Sequence, residues 1–341
     1  MSRIVAERLT AQLLSGRRPR DPVAVVERLL AVQAQDPRGA RLAIRARTTD
    51  VAASAVDSAL TDDRSLVVTW LNRGTLHLVR SEDYPWLHAL TTPHLLTGNA
   101  RRLAQLGVSP AQADRGVKVI ERSLTEDGPL TRAQLGERVA AARVPTEGQA
   151  LVHVLMLATL CGIAVRGPVA GRQHAYALTR DWLGEPATPD RERSLAELAR
   201  RFLAGHGPAD ERDLAKWAGV RLRDARAGLD AAARSLVQRD DGLVDLTRRR
   251  AVAPLPAPRL LGSYDPVLHG WTSREPLLGP NEPRVTIGGL FRPFALVDGR
   301  AVAVWTLRDG AVVLEPFQRL PRRVAAALGA DAEAVLRFLR E

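Results

Sequence analysis

The sequence predicts an α+β protein in which a unit of three helices and a β-hairpin recurs, followed by a small β domain and a C-terminal helix. Segments 115–183 and 194–247 show the same order of helix-like and strand-like stretches. Each carries a Gly-Pro turn after its first helix, at Gly128-Pro129 and at Gly207-Pro208. Beyond residue 247 the chain changes to a proline-containing linker and then to alternating, strand-like stretches, which indicates a different kind of domain.

The first repeat is the clearer of the two. Its first helix is expected at 115–125, and Thr131 is placed to cap a second helix that ends near residue 142. A third helix is expected at 149–161, before two short strands at 163–166 and 175–178. Three helices followed by a hairpin are the plan of a winged helix, an elaborated helix-turn-helix that binds DNA.

The remaining elements follow from the same signals. The second repeat is expected to hold helices and strands at 194–203, 210–218, 222–235, 236–239 and 243–246. The first hundred residues form a looser version, with helices at 4–14, 23–33 and 51–60 and a helical stretch at 84–106. Segments 64–70 and 75–79 are either two strands or the end of a helix followed by a strand. We therefore expect three tandem winged-helix units over residues 1–110, 111–190 and 191–250, and a small β-sheet or barrel domain with the terminal helix over 251–341.

The C-terminal domain is predicted from local hairpin signals. Alternating stretches at 292–297, 301–307 and 311–317 predict three strands, and a helix is expected over 321–340. The turns between the strands contain Asp298-Gly299 and Asp309-Gly310, and Asp-Gly is a strongly favoured dipeptide in two-residue hairpin turns.

Composition points to an anionic partner and excludes several classes of protein. The chain of 341 residues carries a net charge of +11, and Lys118 and Lys216 are its only lysines, so the positive charge is almost all arginine. Arginine binds phosphate through paired hydrogen bonds and stacks on bases, which fits nucleic acid. No apolar run reaches the roughly 18 residues that span a bilayer, and the first residues lack the apolar core of a signal peptide. A cytoplasmic protein that does not bind membranes is expected.

The single cysteine and the scattered histidines argue against metal and thiol chemistry. Cys161 ends an apolar helical run and is expected to be a small buried core residue rather than a catalytic thiol. No His/Cys spacing suggests a metal site, and no cofactor is expected.

Three segments are more specific than the rest. They read AVQAQDP at 31–37, TWLNRGTLHLV at 69–79 and LGSYDPVL at 261–268. With the recurring winged-helix pattern, they resemble the AlkZ/YcaQ-like winged-helix DNA glycosylases over essentially the whole chain. The resemblance implies excision of bulky N7-alkylated purines, including the unhooking of interstrand crosslinks, with catalysis by Gln33 and Gln35. One branch of that family has Gln-x-Asp; the glutamine at the second place here matches the AlkZ branch.

The chemistry of a glutamine pair fits a leaving group that is already activated. An N7-alkylated purine is cationic and leaves as a neutral base, so no acid is needed, and the sugar passes through an oxocarbenium-like transition state. A glutamine carbonyl can accept a hydrogen bond from water and present a dipole, but it does not titrate. On a continuous helix Gln33 and Gln35 would project roughly 200° apart, so their convergence requires the helix to end between them, where Asp36-Pro37 favours a break. The alternative is a pair of exposed polar residues at a helix end.

Candidate DNA contacts fall into four groups. Alternation along a strand places Arg73, Thr75 and His77 on one face, although Arg73 could instead bond a buried carboxylate, and His77 is a weak candidate for a base. The other groups are a basic wing, the start of the last repeat's third helix, and an aromatic segment, represented by Arg166, Arg172 and His174, by Arg221 and Arg223, and by His269, Trp271 and Arg274. Their alternatives are a solvated loop, a solvated helix face and a packed turn.

The expected function is that of a monofunctional glycosylase acting on double-stranded DNA with alkylated purines. No lysine lies near the glutamine motif to form a Schiff base, which argues against strand cleavage. The main alternative is a non-catalytic winged-helix regulator, and a protein-binding scaffold is a third class that the charge fits poorly. Regulators of this kind are usually dimers. The chain shows no dimerisation helix outside the repeats, so a monomer is expected.

Overall fold

The computed structural model describes residues 3–171, 173–185 and 189–340. Arg172, one of the candidate DNA contacts, therefore lies outside the described residues. The helices are α1 (Arg3–Ala11), α2 (Pro22–Leu29), α3 (Pro37–Arg47), α4 (Ala53–Thr61), α5 (Tyr84–Thr91), α6 (Pro93–Gln105), α7 (Pro110–Asp127), α8 (Arg132–Ala141), α9 (Ala150–Leu160), α10 (Thr179–Leu183), α11 (Arg191–His206), α12 (Glu211–Ala218), α13 (Leu222–Ala231), α14 (Glu275–Leu278), α15 (Glu282–Val285) and α16 (Arg322–Arg340).

The strands are shorter and concentrated in hairpins. They are β1 (Val32–Gln33), β2 (Leu66–Leu71), β3 (Thr75–Arg80), β4 (Ala164–Ala170), β5 (Gln173–Leu178), β6 (Leu236–Gln238), β7 (Val244–Leu246), β8 (Arg259–Leu261), β9 (Thr286–Ile287), β10 (Leu290–Phe291), β11 (Phe294–Val297), β12 (Arg300–Arg308) and β13 (Ala311–Pro316). The protein is thus a mixed α and β structure, as expected.

The chain divides into two compact units that do not follow its order. Unit A combines residues 1–56 with 192–341, and unit B consists of residues 57–191. The boundary at Arg191 lies beside the expected boundary at residue 190. The expected N-terminal domain of residues 1–110 is instead divided between the two units.

Unit B contains the β2–β3 hairpin and the first repeat. In this unit β3, β2, β4 and β5 lie side by side in that order, with antiparallel pairing throughout. The repeat has the expected sequence of helices α7, α8 and α9 followed by the hairpin β4–β5. Thr131 caps α8 in a capping box with Gln134, which is the role that the sequence predicted for it.

Unit A contains the second repeat and the C-terminal sheet. Helices α11, α12 and α13 precede the hairpin β6–β7, so the two repeats share their element order. The first of these helices, α11, begins at Arg191, three residues before the expected start at residue 194. Strands β13, β12, β11 and β8 form an antiparallel sheet in that order, and α16 packs on it through Leu328, Val335 and Phe338.

The C-terminal hairpins confirm the local turn signals. Asp298 and Gly299 both have positive φ, 48° and 76°, as do Asp309 and Gly310, at 49° and 76°. Positive φ at both central residues is the geometry of the type I′ turn that Asp-Gly favours.

The exposure of Cys161 differs from the prediction. Cys161 is exposed, not buried, because α9 ends at Leu160 and the cysteine is its C-cap residue. Burial of part of the side chain nonetheless raises the pKa of its thiol, which keeps it protonated. Among the described residues, no helix has the length and apolar character required to cross a membrane.

Candidate active site

The glutamine motif lies on a short extended segment between two helices. Helix α2 ends at Leu29, and Leu30, with φ 65°, turns the chain out of the helix. The expected helix at 23–33 is therefore too long at its C-terminus: Gln33 lies in the extended segment β1, and α3 begins at Pro37. Because the helix ends before both glutamines, their contact does not need a helix break between them.

Gln33 and Gln35 contact each other directly. The Nε2 amide of Gln33 donates to Oε1 of Gln35 at 2.5 Å. Gln33 is buried, with 6% of its surface exposed, whereas Gln35 is exposed. The Oε1 atom of Gln33 is buried and has no hydrogen-bond partner in the described part of the chain. Because its NH₂ group is turned toward Gln35, Gln33 presents an open carbonyl acceptor.

Asp36 joins the motif to a distant segment. One of its oxygens, Oδ1, caps α3 by accepting from the amide of Arg38 at 3.0 Å. The other, Oδ2, accepts from the hydroxyl of Ser263. The residue after the motif is thereby hydrogen-bonded to the turn that follows β8.

Two glycines allow this approach. A Cβ on Gly39 would lie 2.5 Å from the carbonyl oxygen of Ser263, and a Cβ on Gly262 would lie 2.9 Å from the carbonyl oxygen of Gly39. Both positions therefore require glycine, because the backbones of α3 and of the segment after β8 are in contact.

A buried ion pair fixes the same segment to the other end of α3. Arg47 and Asp265 are both fully buried and form a paired contact, with distances of 2.7 Å and 2.9 Å from the guanidinium nitrogens to the two carboxylate oxygens. The remaining donors of Arg47 bond the Ala43 carbonyl, the Gln12 carbonyl and the Gln12 side chain. All five N–H groups of this arginine are thus used, which holds the turn around Asp265 in place.

Between Ser263 and Asp265 stands Tyr264, in a left-handed conformation with φ 57°. Burial, followed by the nearby charge of Asp36, raises the pKa of the Tyr264 phenol, so it stays neutral. Its ring stacks with His269 at a centroid distance of 6.4 Å and tilts against Phe291 at 5.7 Å. An aromatic surface therefore begins at the residue beside the Asp36–Ser263 bond.

The hairpin residues of unit B include a histidine that remains neutral. Thr75 and His77 lie on one face of β3, as expected from their alternation, and Arg73 lies in the exposed turn before it. His77 is buried, and its Nδ1 contacts the Thr75 carbonyl oxygen at 3.0 Å. Burial, with a smaller contribution from Arg73, lowers the pKa of His77 to about 3. Trp70 is buried on β2, as predicted for a core residue.

The candidate wing residue Arg166 packs against aromatic rings. Its guanidinium donates to the Tyr176 hydroxyl at 2.6 Å and lies 4.7 Å from the Trp70 ring centroid and 4.8 Å from that of Tyr176. Arg166 and His174, on β4 and β5, are both half-buried. The alternative of a solvated loop therefore does not describe Arg166.

Arg221 and Arg223 are exposed, at the start of α13. Neither forms an ion pair with another described residue, whereas Arg226, one turn further along the same helix, pairs with Glu211 at 3.4 Å. The first two thus remain candidates for contacts with phosphate.

The aromatic segment is a packed turn in this structure. Trp271 is 3% exposed, its indole N–H donates to the His206 carbonyl at 2.9 Å, and Arg8 stacks on its ring. His269 is also buried. Arg274 donates to the Leu268 carbonyl and pairs with Glu282 at 3.2 Å. Of the two interpretations of Trp271, a probe of the lesion and a packed side chain, the structure shows the second.

The sequence does not identify the residues that hold α3 and the segment after β8 together. They are Gln12, Gly39, Arg47, Ser263, Tyr264 and Asp265. The LGSYDPVL segment was noticed as part of a resemblance, but its contact with residues 36–47 joins positions more than two hundred apart. In the described residues, no cluster of three or more His, Cys, Asp or Glu side chains is arranged to hold a metal ion.

Comparison with known proteins defines the class to which this fold and motif belong. A curated protein of Streptomyces sahachiroi, described as an interstrand DNA cross-link repair glycosylase, is 28% identical over 360 residues, which cover 98% of this chain and 95% of that protein. The solved structure of the Streptomyces sahachiroi DNA glycosylase AlkZ matches with a TM-score of 0.78 and 26% identity, over 99% of this chain and 96% of that one. The fold is thus that of a DNA glycosylase. The profile of the AlkZ-like DNA glycosylases matches residues 26–338, and the chain belongs to that family.

Proposed function

We propose that this glycosylase hydrolyses the N-glycosidic bond of bulky N7-alkylated purines in duplex DNA and unhooks interstrand crosslinks formed through such bases. The observation that carries the proposal is the open carbonyl of Gln33, buried and oriented by its bond to Gln35. The Streptomyces sahachiroi relative, whose description names interstrand cross-link repair, supports the crosslink as a substrate.

Gln33 and Gln35 are the catalytic residues of this proposal. The Oε1 atom of Gln33 accepts a hydrogen bond from the attacking water or faces the positive charge that develops on the sugar. Gln35 holds the Gln33 amide in the required orientation by accepting its N–H. A carbonyl dipole fixed in advance stabilises charge without reorganising when the bond breaks.

The amide chemistry of Gln33 and Gln35 selects the substrate. Gln33 and Gln35 do not titrate, and His77 has a pKa of about 3 and stays neutral at pH 7. An unmodified purine needs protonation to leave, whereas an N7-alkylated purine already carries the charge. A site built from amides therefore favours cationic lesions over normal bases.

The reaction ends at the abasic site. Strand cleavage by a glycosylase of the lyase type requires an amine that attacks the sugar. Of the two lysines, Lys216 donates its ammonium to the Thr272 carbonyl at 2.9 Å, and Lys118 lies on α7 of unit B. Neither is in the motif segment, so we propose that the enzyme only hydrolyses the glycosidic bond. We also propose that it acts as a monomer.

The experiment compares three duplexes incubated with the purified protein. One is undamaged, one contains N7-methylguanine, and one contains an interstrand crosslink through guanine N7. We expect free N7-methylguanine by chromatography, strand breaks only after alkaline treatment, and loss of the crosslinked band on a denaturing gel. The undamaged duplex is the control and should remain intact.

The outcomes separate the parts of the proposal. No base release from either damaged duplex would contradict the substrate assignment. Strand breaks without alkaline treatment would contradict the hydrolytic assignment. Release of N7-methylguanine with an intact crosslink would restrict the substrate to monoadducts. A dimer by light scattering would contradict the monomer and favour the arrangement of a regulator.

A further inference from the structure

A concave site of unit A lies away from the glutamine motif and is lined by arginines. Its cavity has a volume of about 600 Å³ and is bordered by the loop after α1, the C-terminal end of α3, the start of β8 and the second half of α16. Its cationic residues are Arg18, Arg45, Arg259 and Arg337. We call this site the arginine pocket.

The charges of the arginine pocket do not cancel. Asp331 pairs with Arg45 through both carboxylate oxygens, at 2.6 Å and 3.1 Å, and also accepts from the amide of Leu260. Asp50, the other carboxylate at the rim, pairs with Arg20 at 3.3 Å. Among the described residues, the three remaining guanidiniums form no ion pair with a carboxylate.

Arg259 shows the consequence of this arrangement most clearly. Its guanidinium bonds the Ala46 carbonyl at the end of α3, and the negative end of that helix offsets roughly half an elementary charge. Burial, followed by repulsion from Arg18, lowers the pKa of Arg259 to about 10. Placing like charges together at a partly desolvated site is unfavourable unless an anion joins them.

The pocket is separate from the proposed catalytic motif. Asp36 caps the first turn of α3, while Thr48, at the C-cap of the same helix, lines the pocket. An eleven-residue helix is about 16 Å long. An anion in the pocket therefore does not contact Gln33 or Gln35.

We propose that the arginine pocket binds a free oligophosphate anion of the kind carried by nucleoside triphosphates. Three unpaired guanidinium groups match an anion with three or more negative charges, whereas one phosphodiester of DNA carries one. Arginine binds phosphate oxygens through two parallel N–H donors, and the planar groups of Arg18, Arg259 and Arg337 supply several. The cavity volume of about 600 Å³ also accommodates a ligand of nucleotide size.

The test measures tripolyphosphate binding by calorimetry at 0.1 M salt, with orthophosphate and sulfate as weaker anions. The pocket variant is Arg18→Gln/Arg337→Gln. The matched control is Arg17→Gln/Arg323→Gln, which removes the same charge from neighbouring positions on the same loop and helix without touching the pocket. Base release from an N7-methylguanine duplex without added anion checks that each variant is folded and active.

We expect saturable binding of tripolyphosphate that the pocket variant weakens at least ten-fold and the control variant leaves unchanged. Circular dichroism gives an independent check of folding if the pocket variant is inactive. Equal weakening in both variants, or no saturable binding by the parent protein, would overturn the proposal. A pocket variant that loses affinity for undamaged duplex DNA, while the control does not, would assign the arginines to the DNA backbone and also overturn it.

Discussion

Two buried polar side chains of unit A, Gln33 and Arg47, differ in their hydrogen bonding. Gln33 precedes helix α3, and Arg47 is the last residue of that helix. Arg47 uses all five of its N–H donors within the protein. The side-chain amide of Gln33 donates a hydrogen bond to Oε1 of Gln35, and its carbonyl oxygen has no partner among the described residues. A saturated group can contribute only to the structure, whereas an open acceptor at a buried position is available to a substrate or a water.

The first prediction concerns the saturated group. Arg47→Met should lower the free energy of unfolding by about 3–5 kcal/mol, because it leaves the carboxylate of Asp265 buried without its partner. Denaturant titration measures the change. Arg20→Met, which breaks the exposed pair with Asp50, is the control and should change stability by less than about 1 kcal/mol. Similar effects in both variants would mean that the buried pair does not hold the segment after β8.

The second prediction concerns the open group. Gln33→Ala should slow the release of N7-methylguanine by about 10- to 1000-fold, or about 1.4–4 kcal/mol of transition-state stabilisation. It should lower the free energy of unfolding by less than Arg47→Met does, because no described residue donates a hydrogen bond to the Gln33 carbonyl that the substitution removes. A single-turnover assay and a denaturant titration on the same preparation separate the two effects. A parent rate in this variant would remove Gln33 from catalysis.

Buried histidines give a third comparison, between neutral and charged forms. Burial lowers the pKa of His77 and of His206 to about 3, and an unfolded histidine titrates near 6.5. The unfolded state therefore binds more protons between these values, so stability is complete above about pH 6.5 and is lost as the pH falls toward 3. Each histidine should contribute a slope of about 1.4 kcal/mol per pH unit in this window.

The slope is best measured between pH 5 and pH 6.5, above the range in which carboxylates titrate. His77→Gln and His206→Gln should each flatten the dependence of unfolding free energy on pH, although each also lowers stability at pH 7. An unchanged slope in both variants would show that the two histidines do not cause the loss of stability in acid.

A fourth prediction tests how Gln35 assists. Gln35→Glu keeps an acceptor for the Gln33 amide and adds a negative charge that attracts the cationic sugar. We expect base release within about ten-fold of the parent rate or above it. Gln35→Ala removes the acceptor and should be slower than Gln35→Glu. The reverse order would indicate that the shape of the glutamine amide matters more than its acceptor.

The smallest effect is expected when Arg223, which forms no ion pair with a described residue, is compared with Arg226, which is paired on the same helix. Arg223→Gln should reduce the slope of log affinity for duplex DNA against log salt by about 0.9, the value for one phosphate contact. Arg226→Gln should change it less, because Arg226 already pairs with Glu211. Binding titrations at several salt concentrations give both slopes. Equal slopes in the two variants would indicate that the start of α13 does not contact DNA.

The sequence predicts well those elements whose signals are local. The Asp-Gly turns of the C-terminal hairpins, the cap at Thr131 and the shared helix order of the two repeats each depend on a few neighbouring residues. The local pattern does not predict α3, and it extends the preceding helix through Gln33 instead. Apolar periodicity continues past Leu29 into the extended segment, whereas the chain leaves the helix at Leu30, which has a positive φ of 65°.

The site could be predicted only in part for a different reason. Gln33 and Gln35 were recognised through a motif, and the structure places them in contact. The bond from Ser263 to Asp36 and the pair of Arg47 with Asp265 join residues that are 227 and 218 positions apart. Neither alternation nor turn chemistry carries information across such distances, so the residues that hold the motif emerged only with the fold.

The division of the chain into compact units also governs when the protein can fold during synthesis. Unit A needs residues 1–56 and residues 192–341, and unit B is translated between them. At roughly 5–20 residues per second, the ribosome finishes the middle of the chain about 8–30 s after it has synthesised the glutamine motif. During that interval the motif segment lacks Ser263 and Asp265, while unit B already has every residue it requires. We therefore expect that unit B can fold first, and that the segment with Gln33 and Gln35 completes its contacts only after residues 263–265 have been synthesised.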